Sequence, residues 1–193
     1  MLAHVLERAK AIAGVDQVVL ATPDTDRDVP LTWIADDLKV QVVRGSEHDV
    51  LGRFVQAAMA CGADIVMRLT GDCPLLAPDV CERVLQAYLM KPPSAELASN
   101  DTLISGFPDG TDVEVFSTRL LLEADASVHR HAHWVHGDRE HVTTWMRRTR
   151  LQEVVRHEPD WSRYKLSVDT PADLQRVRRI FLYLQDGDMS LAA

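Results

Sequence analysis

Two aspartates carry the clearest chemical signal in the sequence. Asp72 follows the apolar run DIVMRL in the block RLTGDCPLLAPDV, and Asp169 follows the run KLSV in the block LSVDTPADL. Carboxylates are unfavourable inside a protein unless they are paired, hydrogen-bonded or bound to a metal. Both also have ordinary structural explanations, since Gly-Asp-x-Pro favours a turn and Asp169 can interact with a helix dipole. If the two strand ends meet, the carboxylates are suited to one hard cation such as Mg²⁺.

Alternating strands and helices are predicted to position these acids. Short apolar, β-branched runs predict strands at 17–22, 40–44, 64–69, 97–100, 112–116, 151–155 and 165–168. Helical periodicity predicts helices at 3–13, 29–38, 50–61, 78–88, 118–126, 139–148 and 170–184. This order predicts a three-layer α/β/α domain with a mainly parallel sheet. Ligands of open α/β sheets bind beyond the carboxyl ends of the strands, where both aspartates are expected to lie.

The last helix has a complete start signal. Thr170 is suited to the N-cap, Pro171 to the first helical position, and Asp173 to the acid of a capping box. We therefore expect one domain over residues 1–184, followed by a frayed tail over 185–193.

Composition narrows the class of protein. The chain has 193 residues and a net charge of −8, and this acidity argues against nucleic-acid binding. No apolar run approaches the length of a membrane span, and the N-terminus reads as an amphipathic helix instead of a signal peptide. The cysteines form no C-x-x-C pair, which favours a reduced, cytoplasmic protein (Cys61, Cys73 and Cys81).

Five sequence blocks resemble a known enzyme family. In chain order these are VVRGSEHDVLGRF, RLTGDCPLLAPDV, FPDGTDVEVFS, DREHVT and LSVDTPADL, and the similarity extends from residue 1 to about 184. They resemble the cytidylyltransferases grouped with spore coat polysaccharide biosynthesis protein F, relatives of the CMP-KDO and CMP-sialic acid synthetases. The resemblance implies a nucleotide-diphospho-sugar transferase fold and transfer of CMP from CTP to an acidic or phosphorylated sugar. It also implies Mg²⁺ as cofactor and polysaccharide biosynthesis as the setting.

The resemblance implies a role for the two aspartates. Asp72, together with Gly71, is expected to hold the magnesium ion and the nucleotide, and Asp169 is expected to supply a further metal ligand. These two residues are the predicted catalytic pair. The block that follows the strand at 40–44 also lies at the predicted ligand edge and is expected to line the nucleotide pocket (Arg44, Gly45, Ser46 and Glu47).

Two further blocks are candidates for binding the sugar. Asp112 and Glu114 alternate along one predicted strand after Asp109, so both are expected to face sugar hydroxyls or an amine. The alternative is a solvated edge strand. In the block Arg139, Glu140 and His141, the guanidinium of Arg139 matches the geometry of a sugar carboxylate, and a surface charge pair is the alternative.

One element of the family pattern is absent from this sequence. Family members begin with a strand and a basic loop of the form R-x-G-S-x-R-L-P-G-K, which cradles the triphosphate. This sequence opens instead on the family's first helix. We expect either that the protein begins upstream of Met1 or that the gene has lost its beginning. The absent strand would lie between the strands QVVLAT and DIVMRL, which would leave a gap in the sheet.

Three other interpretations stay open. The first is a non-catalytic remnant that folds with a partner or as a homo-oligomer; related synthetases dimerise, but the sequence shows no interface. The second is a glycosyltransferase that uses the D-x-D of Asp24 and Asp26. The third is a zinc site in a histidine-rich stretch that otherwise reads as an exposed polar insertion (His129, His131, His133, His136 and His141).

Overall fold

The computed structural model describes residues 1–101, 104–130, 137–184 and 189–191. Its helices are α1 (Leu2–Lys10), α2 (Val29–Asp37), α3 (Val50–Cys61), α4 (Pro78–Met90), α5 (Thr118–Arg130), α6 (Thr144–Thr149) and α7 (Pro171–Tyr183). Its strands are β1 (Val19–Pro23), β2 (Gln41–Gly45), β3 (Ile65–Arg68), β4 (Ala95–Ser99), β5 (Glu114–Ser117) and β6 (Leu151–Val154). Within the described residues, no helix is both long enough and apolar enough to cross a membrane.

The strands form two sheets. Strands β1 and β2 pair in parallel, with Val19 opposite Gln41 and Pro23 opposite Gly45. The second sheet has the order β3-β5-β4-β6, in which β5 is antiparallel to both neighbours and β4 is parallel to β6. Strands β3, β4 and β6 therefore share one direction, and only β5 opposes them. The predicted α/β class with a mainly parallel sheet is confirmed.

Helices cover both faces of the larger sheet. Leu97 and Phe116 pack on one face with α3, α5 and α6. Their neighbours Ala98 and Val115 point the other way and pack with α1 and α4. Because successive side chains of a strand alternate between faces, two adjacent residues of each central strand supply both halves of the core. This arrangement is the predicted α/β/α layering.

The sheet is interrupted between β1 and β3. These strands belong to separate sheets, at the place where a gap is expected from the sequence. Helix α1 connects the two parts, because Leu6 packs with α2 and β2 residues while Ala9 and Ile12 pack with α4. The N-terminal helix therefore holds β1 and β2 against the rest of the domain without a shared ladder of hydrogen bonds.

Several predicted boundaries differ from the structure. The helix predicted over 139–148 spans only Thr144–Thr149, and residues 137–143 form turns. The strand predicted over 165–168 is an extended segment with a single bridge, between Lys165 and Asp109. Of the predicted frayed tail, the described residues Met189–Leu191 contact Arg8 and Asp79. The predicted capping box of Thr170 and Asp173 is present.

Candidate active site

The structure brings the chain segments of the two predicted metal ligands together. The backbone N–H of Val168 donates a hydrogen bond to the carbonyl oxygen of Asp72 at 2.9 Å. Asp169 is the next residue in the chain after Val168. Asp72 lies in the turn after β3, and Asp169 immediately precedes the N-cap of α7. Asp72 is half-buried and Asp169 is exposed, which leaves both accessible from solvent. The turn after β3 and the segment that precedes α7 are thus in contact.

A lysine is bound between two carboxylates at this edge. The ammonium group of Lys165 contacts Asp169 Oδ2 and also Asp109 Oδ2, the latter at 3.2 Å. Ser167 Oγ donates to the same oxygen of Asp109 at 3.0 Å. Hydrogen bonds to Asp169 and Asp109 raise the pKa of Lys165 above its ordinary value. The carboxylates of Asp109 and Asp169 therefore share one cation.

Gly110 allows this close approach. Its φ is +97°, a conformation that favours glycine, and a Cβ atom there would clash with the backbone nitrogen of Ser167. The two segments are also joined by a hydrogen bond from the N–H of Leu166 to the carbonyl of Asp109 at 2.6 Å. The glycine of the block FPDGTD therefore positions Asp109 beside Asp169.

Asp112 lies close to this acidic group. Burial raises its pKa to about 6; the N–H of Gly110 partly opposes this shift, and the nearby Asp101 and Asp109 add to it. The Gly110 N–H donates to Asp112 Oδ2 at 3.0 Å. Strand β5, which Asp112 precedes, lies inside the sheet between β3 and β4. The alternative of a solvated edge strand is wrong.

Glu114 is placed differently from the expectation. Its side chain is 1% exposed and binds Arg68 Nη1 at 2.5 Å and Arg147 Nη2 at 2.7 Å. Thr143 Oγ1 donates to it at 2.5 Å. Both carboxylate oxygens are therefore occupied by protein donors, so Glu114 joins β3, β5 and α6 instead of facing a sugar. The sequence placed Glu114 on the correct strand but could not show these partners.

Arg139 is also engaged within the protein. Its Nε donates to Asp49 Oδ1 at 2.8 Å, and its Nη1 donates to Asp125 Oδ1 at 3.0 Å. Asp49 is the N-cap of α3 and Asp125 lies in α5, so Arg139 links two helices. Its neighbours Glu140 and His141 are exposed. A sugar carboxylate at Arg139 stays a prediction and would compete with these two carboxylates.

The block from Arg44 to Glu47 contacts the loop that follows β1. Arg44 Nη2 pairs with Asp24 Oδ1 at 3.1 Å, and Glu47 pairs with Arg27. Both loops leave the carboxyl ends of parallel strands, so they lie at the edge where α/β proteins bind ligands. Asp24 of the D-x-D motif belongs to this ion pair.

A metal at the Asp72–Asp169 edge would have few protein ligands. No group of three or more His, Cys, Asp or Glu residues suited to a metal occurs in the part of the chain that the structure describes. Mg²⁺ is commonly held by one or two carboxylates together with substrate phosphates, so two aspartates fit that ion. The zinc interpretation depends on His131, His133 and His136, which lie outside the described residues. His129 is described, and its Nδ1 lies 3.0 Å from the carbonyl of Asp125.

Sequence comparison identifies the family of the chain. The profile of the family described as cytidylyltransferase matches residues 1–177. The chain belongs to the cytidylyltransferase family. This confirms the resemblance seen in the sequence blocks.

Three relatives illustrate the range of the family. An uncharacterized protein of Methanocaldococcus jannaschii is 31% identical over 76% of this chain and 56% of its own length. The spore coat polysaccharide biosynthesis protein SpsF of Bacillus subtilis is 29% identical over 86% of this chain and 67% of its own. A 3-deoxy-manno-octulosonate cytidylyltransferase of Thioalkalivibrio sulfidiphilus is 37% identical over 45% of this chain and 35% of its own length. The matched part of this chain thus spans between about a third and two thirds of these relatives.

Solved structures agree on the fold. A cytidylyltransferase from Leptospira borgpetersenii superposes with a TM-score of 0.87 and 28% identity, over 96% of this chain and 76% of that one. A CMP:2-keto-3-deoxy-manno-octonic acid synthetase complexed with CTP has a TM-score of 0.62 at 18% identity, over 94% of this chain and 87% of that one. A Mycobacterium tuberculosis protein in complex with manganese has a TM-score of 0.57 at 20% identity, over 91% of this chain and 84% of that one. The last two support the nucleotide-sugar transferase fold alone.

Proposed function

We propose that this protein transfers CMP from CTP to an acidic or phosphorylated sugar. The observation that supports this most directly is the hydrogen bond that joins the segments carrying Asp72 and Asp169, where the Lys165 ammonium group contacts Asp169. Family membership supports CTP as the nucleotide. The relatives named for a sugar acid and for spore coat polysaccharide biosynthesis support the class of acceptor and a biosynthetic role.

Asp72 and Asp169 are the residues proposed to hold Mg²⁺. Their donor atoms are carboxylate oxygens, which hard cations prefer, and the contact of Lys165 with Asp169 indicates that this edge favours a positive charge. A bound divalent ion would neutralise charge on the triphosphate and on the leaving pyrophosphate. The Mycobacterium tuberculosis protein of the same fold was crystallised with manganese, which supports the proposal that a divalent ion binds here.

The chain's own residues would position the reacting groups. The acceptor oxygen, from a sugar phosphate or from a sugar hydroxyl that releases its proton to solvent, attacks the α-phosphorus of CTP. The bond between this phosphorus and the bridging oxygen to the β-phosphate breaks, and pyrophosphate leaves with that oxygen. Asp112 lies near Asp101 and Asp109 and is suited to accept a hydrogen bond from a sugar hydroxyl. Asp109, next to Lys165, is the second candidate for such a contact. In-line positioning of this kind supplies much of the acceleration in transfer reactions.

The decisive experiment measures pyrophosphate released from CTP and Mg²⁺ with a panel of sugar acids and sugar phosphates. We expect one acceptor to give turnover in the wild type and Asp72→Asn to reduce it at least a hundredfold. Asp37→Asn, which changes an exposed acid on α2, serves as the matched control. Undiminished turnover in Asp72→Asn would disprove the metal assignment.

The sheet interruption supports a second candidate function. Strands β1 and β3 lie in separate sheets, so a binding protein completed by a partner strand is the alternative to an enzyme. Such a protein would show no turnover with any acceptor and would elute as a complex or homo-oligomer. The turnover assay with CTP and the acceptor panel distinguishes it from an enzyme, and size-exclusion chromatography with light scattering then gives its oligomeric state.

A further inference from the structure

A buried cysteine lies beside the proposed metal ligand Asp72. Cys73 is 3% exposed, and its Sγ lies 3.0 Å from Thr70 Oγ1 and 3.5 Å from Asp72 Oδ1. The other carboxylate oxygen of Asp72, Oδ2, receives no hydrogen bond from the residues that the structure describes. The two oxygens of this carboxylate are therefore in different environments, one bound to a thiol and the other available to a ligand.

The direction of these hydrogen bonds follows from the atoms involved. A carboxylate has no hydrogen to donate, so the thiol of Cys73 must donate to Asp72 Oδ1. The thiol has a single hydrogen, so the hydroxyl of Thr70 must donate to the sulfur. Thr70, Cys73 and Asp72 thus form a chain of two hydrogen bonds that ends at one oxygen of the carboxylate.

The backbone of this turn is held in place on the protein side and open on the other. The N–H of Cys73 donates to the carbonyl of Thr70 at 3.4 Å, and the carbonyl of Asp72 accepts from the N–H of Val168 at 2.9 Å. A Cβ atom at Gly71 would meet no heavy atom within 4 Å apart from its chain neighbours. The turn therefore fixes the three side chains relative to one another and leaves room beside Gly71 for a ligand.

We propose that Cys73 is a positioning residue, which binds one oxygen of Asp72 and leaves the other for the metal ion. This inference rests on the proposed function, in which Asp72 is a Mg²⁺ ligand. Mg²⁺ requires nearly ideal octahedral geometry, whereas Ca²⁺ accepts a carboxylate through one oxygen or through both. A carboxylate with one oxygen engaged by a thiol therefore favours Mg²⁺ over Ca²⁺.

Electron paramagnetic resonance of free Mn²⁺ measures metal binding without requiring turnover. Displacement of bound Mn²⁺ by Mg²⁺ and by Ca²⁺ then gives the affinity for each of these two ions. We expect Cys73→Ala to weaken Mg²⁺ binding by about tenfold, as is usual when a hydrogen bond to a metal ligand is removed, and Ca²⁺ binding by less than about threefold. Cys73→Ser keeps a donor and should stay within about threefold of wild type for both ions.

Cys81→Ala is the matched control, because it removes the same sulfur atom from a fully buried position on α4. It should leave both metal affinities unchanged, whatever the cavity costs in stability. Equal losses in Cys73→Ala and Cys81→Ala would show an effect of packing and overturn the proposal. Equal losses for Mg²⁺ and Ca²⁺ in Cys73→Ala, or a Cys73→Ser variant as weak as Cys73→Ala, would overturn it too.

Two further variants cover the remaining outcomes. If Cys73→Ala does not fold, Thr70→Val removes the hydroxyl that orients the thiol and should lower the preference for Mg²⁺ over Ca²⁺; an unchanged preference would refute the role of Cys73. Asp72→Asn should abolish Mn²⁺ binding. Wild-type binding of Mn²⁺ that Asp72→Asn leaves intact would refute the metal assignment itself, whereas binding lost in Asp72→Asn and retained in Cys73→Ala would refute only the role of Cys73.

Discussion

At the residue scale, the ammonium group of Lys165 would compete with a metal ion for the carboxylate of Asp169. Its ammonium contacts Asp169 and Asp109, and Asp169 is also a proposed metal ligand. A divalent ion that binds Asp169 must displace the lysine or share the carboxylate with it. Lys165 is four residues before Asp169 in the sequence, but nothing in that spacing separates a counter-ion from an ordinary surface lysine.

We therefore expect Lys165→Met to bind Mn²⁺ more tightly than wild type, by about threefold or more, because a competing cation is removed. Titration of Mn²⁺ followed by electron paramagnetic resonance measures this directly. Lys39→Met, an exposed lysine before β2, is the matched control. Weaker binding in Lys165→Met would mean that the lysine organises the site instead of competing for it.

Asp112 gives a pH-dependent prediction at the same scale. Its pKa is raised from 3.8 to about 6 by burial, so the folded state binds more protons than the unfolded state between these values. The contribution of Asp112 to the free energy of unfolding should therefore fall as pH rises from about 4 to 6, by up to about 3 kcal/mol. Asp112→Asn should be more stable than wild type at pH 8 and similar near pH 4. Urea unfolding at both pH values tests this prediction. A difference in the free energy of unfolding between the two proteins that stays the same at both pH values would refute it.

At the element scale, Glu114 joins three elements through charge. It binds Arg68 at the end of β3 and Arg147 in α6, while its own backbone begins β5. Arg147 also binds Asp101, which follows β4. One buried carboxylate thereby connects the central strands to the helix that covers them, close to the turn that carries Asp72.

Removing this charge should be costly, because it leaves two arginines without their shared partner. We expect Glu114→Gln to lower the free energy of unfolding by about 3–5 kcal/mol, the usual effect of breaking a buried ion pair. Glu82→Gln, an exposed acid on α4, should change it by less than about 0.5 kcal/mol. Chemical denaturation measures both. A small loss in Glu114→Gln would show that water replaces the carboxylate at this position.

At the scale of the whole molecule, ligand binding should connect the two sheets. The block from Arg44 to Glu47, which is expected to line the nucleotide pocket, lies at the end of β2, and the proposed metal ligand Asp72 follows β3 in the other sheet. A nucleotide that binds both parts stabilises the whole domain by mass action, by about 2.7 kcal/mol at a hundred times its dissociation constant. CTP with Mg²⁺ should therefore raise the melting temperature, and Asp72→Asn should remove most of the increase. No shift in wild type would favour the non-catalytic interpretation.

The sequence alone determined the alternation of elements, the capping box at Thr170, and the location of Asp72 just beyond a strand. These features depend on local periodicity and on residues a few positions apart, so they can be recognised from the sequence alone. Strand 165–168 and helix 139–148 were misjudged because their conformation depends on distant segments, such as Asp109 for Lys165.

Only the tertiary structure decided which charged groups are partners. Glu114 is buried against Arg68, 46 residues away, and Arg139 pairs with Asp49, 90 residues away. Burial and pairing are properties of packed elements, and the free energy of a charge depends on them more than on its neighbours in sequence.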